Sequence, residues 1–332
     1  MPIPVRVVPT RPPVVYPVPP TPVLWDRTAV SITGASGAGE EIPLTGFTGR
    51  AWPSIVMQAG ATGLDMPPYA IFSDDSPSLD GSIYRSSRTT SREIMIPLYL
   101  YGVDRQTLNA LKRKLFQALN PKRGFCVLKF TEGSGQARRI SVYYKDGLDG
   151  AEGVDVSGFT WCKYALLLTA MDPWFYPSAS ESTRWDFGTG LPFLSTSRKF
   201  FPMQISRGTM GGPGSEYLVS NPGDEDAWPV WELTGPIKSF SLTSPKGEVL
   251  KAAPPDNGID LVPDGRVMEI DTRPGKKTVK DDQGMNYWAA LDANPSFWPI
   301  EPGDSKCSIS VVAGSGRASV RLAYTPRYAS YI

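Results

Sequence analysis

The chain runs to 332 residues, with 34 Lys or Arg against 33 Asp or Glu, 33 Pro, 32 Gly and no His. A formal net charge of +1 gives no general attraction to polyanions. Without histidine there is no Ser-His-Asp or Cys-His nucleophile, no imidazole acid–base step and no His-ligated metal. Hydrophobic residues at 41% suffice for folded cores, and the length allows two of them.

Residues 1–22 hold nine prolines interleaved with Val, Ile and Tyr. Proline fixes φ and cannot donate to a ladder, so this stretch reads as an extended, polyproline-like arm without a core of its own. Val14, Val15 and Tyr16 are the side chains by which it would lie along an apolar surface of a neighbouring subunit. Proline also stands where the apolar core of a secretion signal would be. The longest apolar run, residues 164–171, is too short to span a bilayer, so the expectation is a soluble protein made in a cytoplasm.

From Trp25 to about Pro177 short β segments alternate with Gly, Pro, Asp and Ser turns: residues 29–33, 94–101, 125–130, 140–144 and 161–170. One helix interrupts them over 105–119. Asp104 caps it, Leu108, Leu111, Leu115 and Leu119 recur at helical spacing, and Asn120-Pro121 stops it. The texture then loosens into Ser, Thr, Gly and Pro. Short strands return at 216–220, 230–233, 267–271, 308–312 and 319–324 with no amphipathic helix. The predicted fold is mainly β. It comprises a Pro-rich arm (1–24), a β-sandwich or barrel domain with the helix (25–180), a linker or long loop (181–214) and a second β-sandwich of jelly-roll type (215–332).

Chemistry-bearing motifs are few. Cys126, Cys162 and Cys307 are too sparse for a metal site or a disulfide framework and read as buried thiols. Gly34-Ala35-Ser36-Gly37-Ala38-Gly39 resembles a phosphate loop, yet Glu40-Glu41-Ile42-Pro43 follows instead of a helix, so it reads as a hairpin loop. No Ser-x-x-Lys occurs, and the carboxylate pairs Asp74-Asp75 and Asp281-Asp282 sit among turn formers. The sequence therefore implies no enzyme, no cofactor and no metal. Residues 105–145 carry ten Lys or Arg and one acid, Glu132. Arg105, Lys112, Arg113, Lys114, Arg138 and Arg139 form a candidate interface, with a protein partner preferred to nucleic acid. Trp288 and Trp298 are candidate glycan-stacking residues, weighed against a role in the core.

Taken in order, several motifs resemble the distal tail proteins of long-tailed phages. They are Asp80-Gly81-Ser82, Arg85, Arg92-Glu93-Ile94, Ile96-Pro97-Leu98, the helix opening at Asp104-Arg105, Asn120-Pro121 with Gly124, the strand from Arg138 to Tyr144, and Gly147-Leu148. Trp161 and Ala170-Met171-Asp172-Pro173-Trp174-Phe175 close the first domain in the same manner. In the second, Asn221-Pro222-Gly223-Asp224, Trp228-Pro229-Val230-Trp231, Leu233-Thr234-Gly235-Pro236, Asp271-Thr272 with Pro274-Gly275, and Phe297-Trp298 with Ile300 and Pro302-Gly303 continue the match, and it ends on Val320, Leu322, Tyr324 and Arg327-Tyr328. The minor tail proteins of actinobacteriophages look most similar. The likeness covers about residues 25–332; the arm has no counterpart in it.

The resemblance implies a structural virion protein at the tail tip, assembled in the host cytoplasm. It would be a ring, expected to be a hexamer, that joins the tail tube protein to the baseplate hub or tail-associated protein. The tape-measure protein and DNA would pass its lumen without specific binding, and no membrane is involved. The second domain would be a galectin-like or carbohydrate-binding-module-like sandwich projecting outward. The alternative is a tail-tip receptor-binding module that recognises a host glycan through that sandwich; a tail-associated hydrolase is the third reading.

Overall fold

The computed structural model describes residues 28–45, 54–75, 77–78, 80–153, 160–188, 215–252, 258–314 and 316–332. The arm, with Val14, Val15 and Tyr16, and residues 189–214 of the expected linker lie outside the described residues.

The first domain runs β1 (Ala29–Thr33), β2 (Glu41–Pro43), β3 (Ser54–Met57), β4 (Tyr69–Asp75), β5 (Ser82–Thr89), β6 (Arg92–Tyr101), α1 (Arg105–Leu119), β7 (Cys126–Thr131), β8 (Ala137–Asp146), β9 (Ala151–Gly153), β10 (Trp161–Ala170) and β11 (Tyr176–Pro177). Nine of these strands make one sheet in the order β2-β1-β7-β8-β10-β6-β3, with β9 added to β10 and β11 to β8. β8 carries the bend: its first part pairs with β7, and Tyr143, Tyr144 and Asp146 pair with β10. The sheet folds over until its edges meet, where the Met57 amide donates to the Leu44 carbonyl at 2.7 Å and the Leu44 amide to Val30 at 2.8 Å. Joining the edges in this way removes open ladder positions.

Alternation places the core. β6 buries Ile94, Ile96, Leu98 and Leu100, and β10 buries Cys162, Tyr164, Leu166, Leu168 and Ala170. The two pair along their whole lengths from Trp161 opposite Tyr101 to Ala170 opposite Arg92. α1 lays Leu108, Leu115 and Leu119 on this core. Its start is fixed by Asp104, whose carboxylate accepts from the Thr107 amide at 2.7 Å and from the Thr107 hydroxyl at 2.6 Å. Asn120, at ψ 111° before Pro121, ends it. The Gly34–Gly39 segment is a turn between β1 and β2 that rests on this helix end. A Cβ on Gly34 would stand 2.1 Å from the Ala118 carbonyl oxygen, so glycine there serves packing.

The second domain contains β12 (Glu181–Gly188), β13 (Ser215–Asn221), β14 (Val230–Thr234), β15 (Ile237–Thr243), β16 (Val249–Ala252), β17 (Val267–Asp271), β18 (Thr278–Asp281), β19 (Gly303–Ala313) and β20 (Arg317–Tyr324). They form two sheets, β12-β20-β14-β17-β18 and β13-β19-β15-β16. The core between them holds Trp185, Trp231, Phe240, Leu242, Ile270, Trp298, Ile309 and Leu322. Residues 181–188 belong to this domain and not to a linker, because Trp185 and Phe187 are buried in its core and β12 pairs with β20 from end to end.

The motif turns are built by side chains. Asn221 donates its amide to the carbonyls of Glu225 at 3.0 Å and Ile300 at 2.9 Å while accepting from the Gly223 amide at 3.0 Å. The Thr272 hydroxyl donates to the Pro229 carbonyl at 2.6 Å. These are buried polar groups with their partners in place, which fixes loop geometry between the sheets.

Candidate assembly interface

β4 and β5 form a sheet of two strands standing apart from both domains' sheets. Their residues are exposed on both sides, among them Ile71 at 69%, Phe72 at 47%, Ile83 at 45% and Tyr84 at 62%. Register sorts these onto two faces. Ile71 lies opposite Ser87, and Tyr84 lies opposite Ser73, with the Tyr84 hydroxyl donating to Ser87 at 3.0 Å. Phe72, opposite Ser86, and Ile83, opposite Asp74, share the other face, where the Arg88 guanidinium sits 5.8 Å from the Phe72 ring centre. Two isolated strands are marginal in water, and paired exposed apolar side chains on a monomer mark a contact surface. Sequence reasoning missed this hairpin because its strands do not alternate: Ser, Asp and Arg are mixed with Ile, Phe and Tyr on both faces.

The base of the hairpin is anchored at Arg92, which is buried to 1% exposure. Its guanidinium donates to the Gly63 carbonyl at 3.2 Å and the Ala329 carbonyl at 2.7 Å, and it lies 5.0 Å from the Phe175 ring centre. Burial lowers its pKa to about 10, against attraction from Asp65 and Tyr69 that raises it. Gly63 has to be glycine, since at φ +80° a Cβ would meet the Glu93 carbonyl oxygen at 2.0 Å.

Ala329 belongs to a tail, residues 325–332, that leaves β20 and returns to the first domain. Phe175 and Tyr328 exchange backbone hydrogen bonds of 2.9 Å each. Tyr331 stacks on Phe130 with centroids 4.8 Å apart, and Arg138 lies 3.6 Å from the Tyr328 ring centre while donating to the Ser330 carbonyl at 2.9 Å and to that of Ile332. One buried cation thus joins the hairpin base, the end of the first domain and the tail of the second.

The six basic residues of the predicted interface lie on two elements, α1 and β8. Arg105, Lys112, Arg113 and Lys114 lie on α1, and Lys114 pairs with Glu40 at 2.6 Å. Arg138 and Arg139, as neighbours on β8, point to opposite faces. Arg138 is occupied by the tail, whereas Arg139 is exposed beside Lys129 and Tyr176 in the register. Of the two candidate glycan residues, Trp298 is corrected to a core residue. It is 3% exposed, packs edge-on to Trp231 at 5.6 Å and offers no ring face to a ligand. Trp288 is 42% exposed and stacks on Phe297 at 5.2 Å, with the Lys277 ammonium 5.2 Å from the Phe297 centre. Cys126, Cys162 and Cys307 are buried free thiols, and desolvation pushes Cys126 and Cys307 up to about 11. Among the described residues no helix is long and apolar enough to cross a membrane.

Residues 73–143 match the phage tail protein RIFT-related domain family. The match begins inside β4 and ends in β8, so it takes in most of the hairpin, Arg92, α1 and Arg138. No curated protein matches the chain in sequence. Among solved structures the fold is similar to the SPP1 Dit protein, described as a paradigm of the hub adsorption apparatus in phages that infect Gram-positive bacteria. The TM-score is 0.58 at 11% identity, over 89% of this chain and 98% of that one. The phage P2 baseplate in its calcium-activated conformation aligns at a TM-score of 0.41 and 12% identity, over 90% of this chain and 98% of that one. Residues 73–143 thus match a phage tail domain family, and the fold of the whole described chain is similar to that of SPP1 Dit.

Proposed function

We propose that the chain is the distal tail adaptor of a long non-contractile tail: a ring, expected as a hexamer, between the last tail-tube ring and the tail-tip or baseplate complex. The observation that carries this reading is the exposed β4–β5 hairpin, apolar on both faces and rooted in the domain that matches the phage tail family. A head-to-tail contact between one patch and a different patch of the next copy closes into a ring when its rotation closes. The hairpin supplies the first patch and a second copy of this chain the other. The curled sheet supplies a rigid wall, and the Arg92 node keeps hairpin and second domain in a fixed relation. The tail tube protein, the hub and the tape-measure protein are the partners, and DNA passes without specific contact. No step needs a catalytic residue. Electron microscopy and mass photometry of the purified chain, alone and with tube or hub protein, test it. Rings support the adaptor, and monomers under every one of those conditions refute it.

A second reading keeps the receptor-binding alternative through Trp288 alone, whose half-exposed ring stacks on Phe297, the ring that Lys277 approaches. Glycan-array binding that Trp288→Ala abolishes supports it, and an array without binding removes it.

A further inference from the structure

A cleft of about 340 Å³ opens at the C-terminal end of α1, lined by Phe116, Leu119, Asn120, Pro121, Tyr144 and Leu148. Phe116 stays 43% exposed there, its ring set edge-on to Tyr164 at 6.3 Å. The polar groups of the cleft have a particular bias. The Asn120 side-chain oxygen accepts from the Lys122 amide at 3.0 Å, and its half-buried amide leaves N–H groups to donate into the cleft. Tyr144, also half-buried, adds a hydroxyl to the lining. A largely apolar, aromatic-lined floor with side-chain donors at its edge fits a ligand rich in carbonyl acceptors and poor in N–H groups. A proline-rich strand is that ligand: its rings fill aromatic grooves, its carbonyls are unpaired, and each proline removes a donor.

The chain contains one such segment, and it lies outside the described residues. Residues 12–20 read Pro-Pro-Val-Val-Tyr-Pro-Val-Pro-Pro, preceded by Arg11. We propose that this segment of one copy seats in the α1-end cleft of the next copy and clamps neighbours together. Charge sets its direction. Leu148 is flanked by Asp146 and Asp149, both exposed and neither in an ion pair among the described residues, which places Arg11 at that rim.

Chain direction favours a second copy over the arm's own domain. β1 enters the sheet with Ala29 opposite Thr131 and leaves it at Thr33 opposite Val127, next to the helix end against which Gly34 packs. The arm therefore joins at the other end of β1, a strand about 17 Å long, and reaches its own cleft only by reversing course. The stretch from Tyr16 to Thr28 spans about 37 Å when extended, enough to cross to an adjacent subunit. The inference rests on the ring reading, since a clamp needs a neighbour.

The test uses full-length chains with engineered cysteines, which stand out because the native thiols are buried. A Val15→Cys chain is mixed with a differently tagged Pro121→Cys chain, oxidised, and compared with a mixture in which Lys306→Cys replaces Pro121→Cys. Ring formation is followed in parallel by mass photometry. The expected result is rings together with a mixed disulfide dimer at least tenfold above the Lys306→Cys control, and loss of that excess when Phe116→Ser is added with melting unchanged. Rings without the excess overturn the clamp and leave the ring standing. In the double variant Val15→Cys/Pro121→Cys, a link confined to single chains overturns the choice of a neighbour. Absence of both rings and links overturns the ring reading and takes the clamp with it.

Discussion

Ile71→Lys is the sharpest perturbation of the assembly surface, because it separates folding of the chain from association of its copies. Ile71 is 69% exposed and Tyr84, on the same face of the hairpin, 62%. Burying an aliphatic or aromatic side chain in full is worth about 1.5–3 kcal/mol, so covering the remaining exposed part of each contributes about 1–2 kcal/mol to a contact. Lysine at position 71 forfeits that share and adds the cost of an unpaired ammonium in a closing interface, which brings the loss to at least about 3 kcal/mol. Each contact then weakens by more than about a hundredfold. A ring made of repeated copies of that contact falls apart at concentrations where the wild type is assembled.

The folded monomer loses little by comparison. Position 71 touches no core cluster, and an exposed substitution of this kind shifts stability by about 0.5 kcal/mol, with strand propensity adding up to about 1 kcal/mol. Mass photometry across a dilution series, with thermal melting of the dissociated chain, measures both quantities. Phe72→Lys examines the opposite face. Rings of wild-type stability from both variants would refute the assignment of this hairpin to a subunit contact.

Other expectations concern the joint between the domains and the acid limb of stability. Tyr331→Ala removes the 4.8 Å stack on Phe130 and uncovers part of that ring, costing about 1–3 kcal/mol, while Tyr331→Phe stays near wild type; urea midpoints decide. Arg92→Ala leaves a cavity and two carbonyls without their donor, costing about 2–4 kcal/mol. Arg92→Met is milder because it fills the site and removes a desolvated charge, and equal losses from the two would count against a packing role. Burial pushes the Asp271 carboxyl upward, but the Arg273 side chain and backbone donors outweigh it and hold it below its ordinary value of 3.8. A depressed aspartate contributes stability that is present above that value and lost as pH falls through the lower folded one. The second domain should thus lose stability below about pH 4, less steeply in Asp271→Asn, as read by denaturation at successive pH values.

How much of this was legible in the sequence follows from whether burial leaves a period. β10 matches its predicted span, Trp161 to Ala170, because every second residue faces the core. α1 matches as well, since a capping aspartate, a leucine stripe and a following proline are all local signals. β12 carries no readable period, because only Trp185 and Phe187 of its eight residues are buried, among polar neighbours. The tail 325–332 has no period, because each contact is individual: a ring on Phe130, a carbonyl on Arg92, a backbone pair with Phe175. Nor does sequence distinguish Trp288 from Trp298, which differ in burial only through the loops that carry them.

Charge leaves no such period. Ten basic residues between 105 and 145 suggest one electrostatic face, and they lie on α1, β7, β8 and the turn after α1. Lys114 pairs with Glu40, and Arg138 binds the carbonyls of the tail. Two features are not explained by the cores: the exposed apolar side chains on both faces of the β4–β5 hairpin, and the aromatic-lined cleft at the end of α1. A folded chain leaves such groups unsatisfied only at a cost, since exposed apolar patches invite aggregation and isolated hairpins barely hold their register. Both costs are offset when a second copy covers the surface. Two such places in one β domain, set on different elements, are what a head-to-tail ring requires.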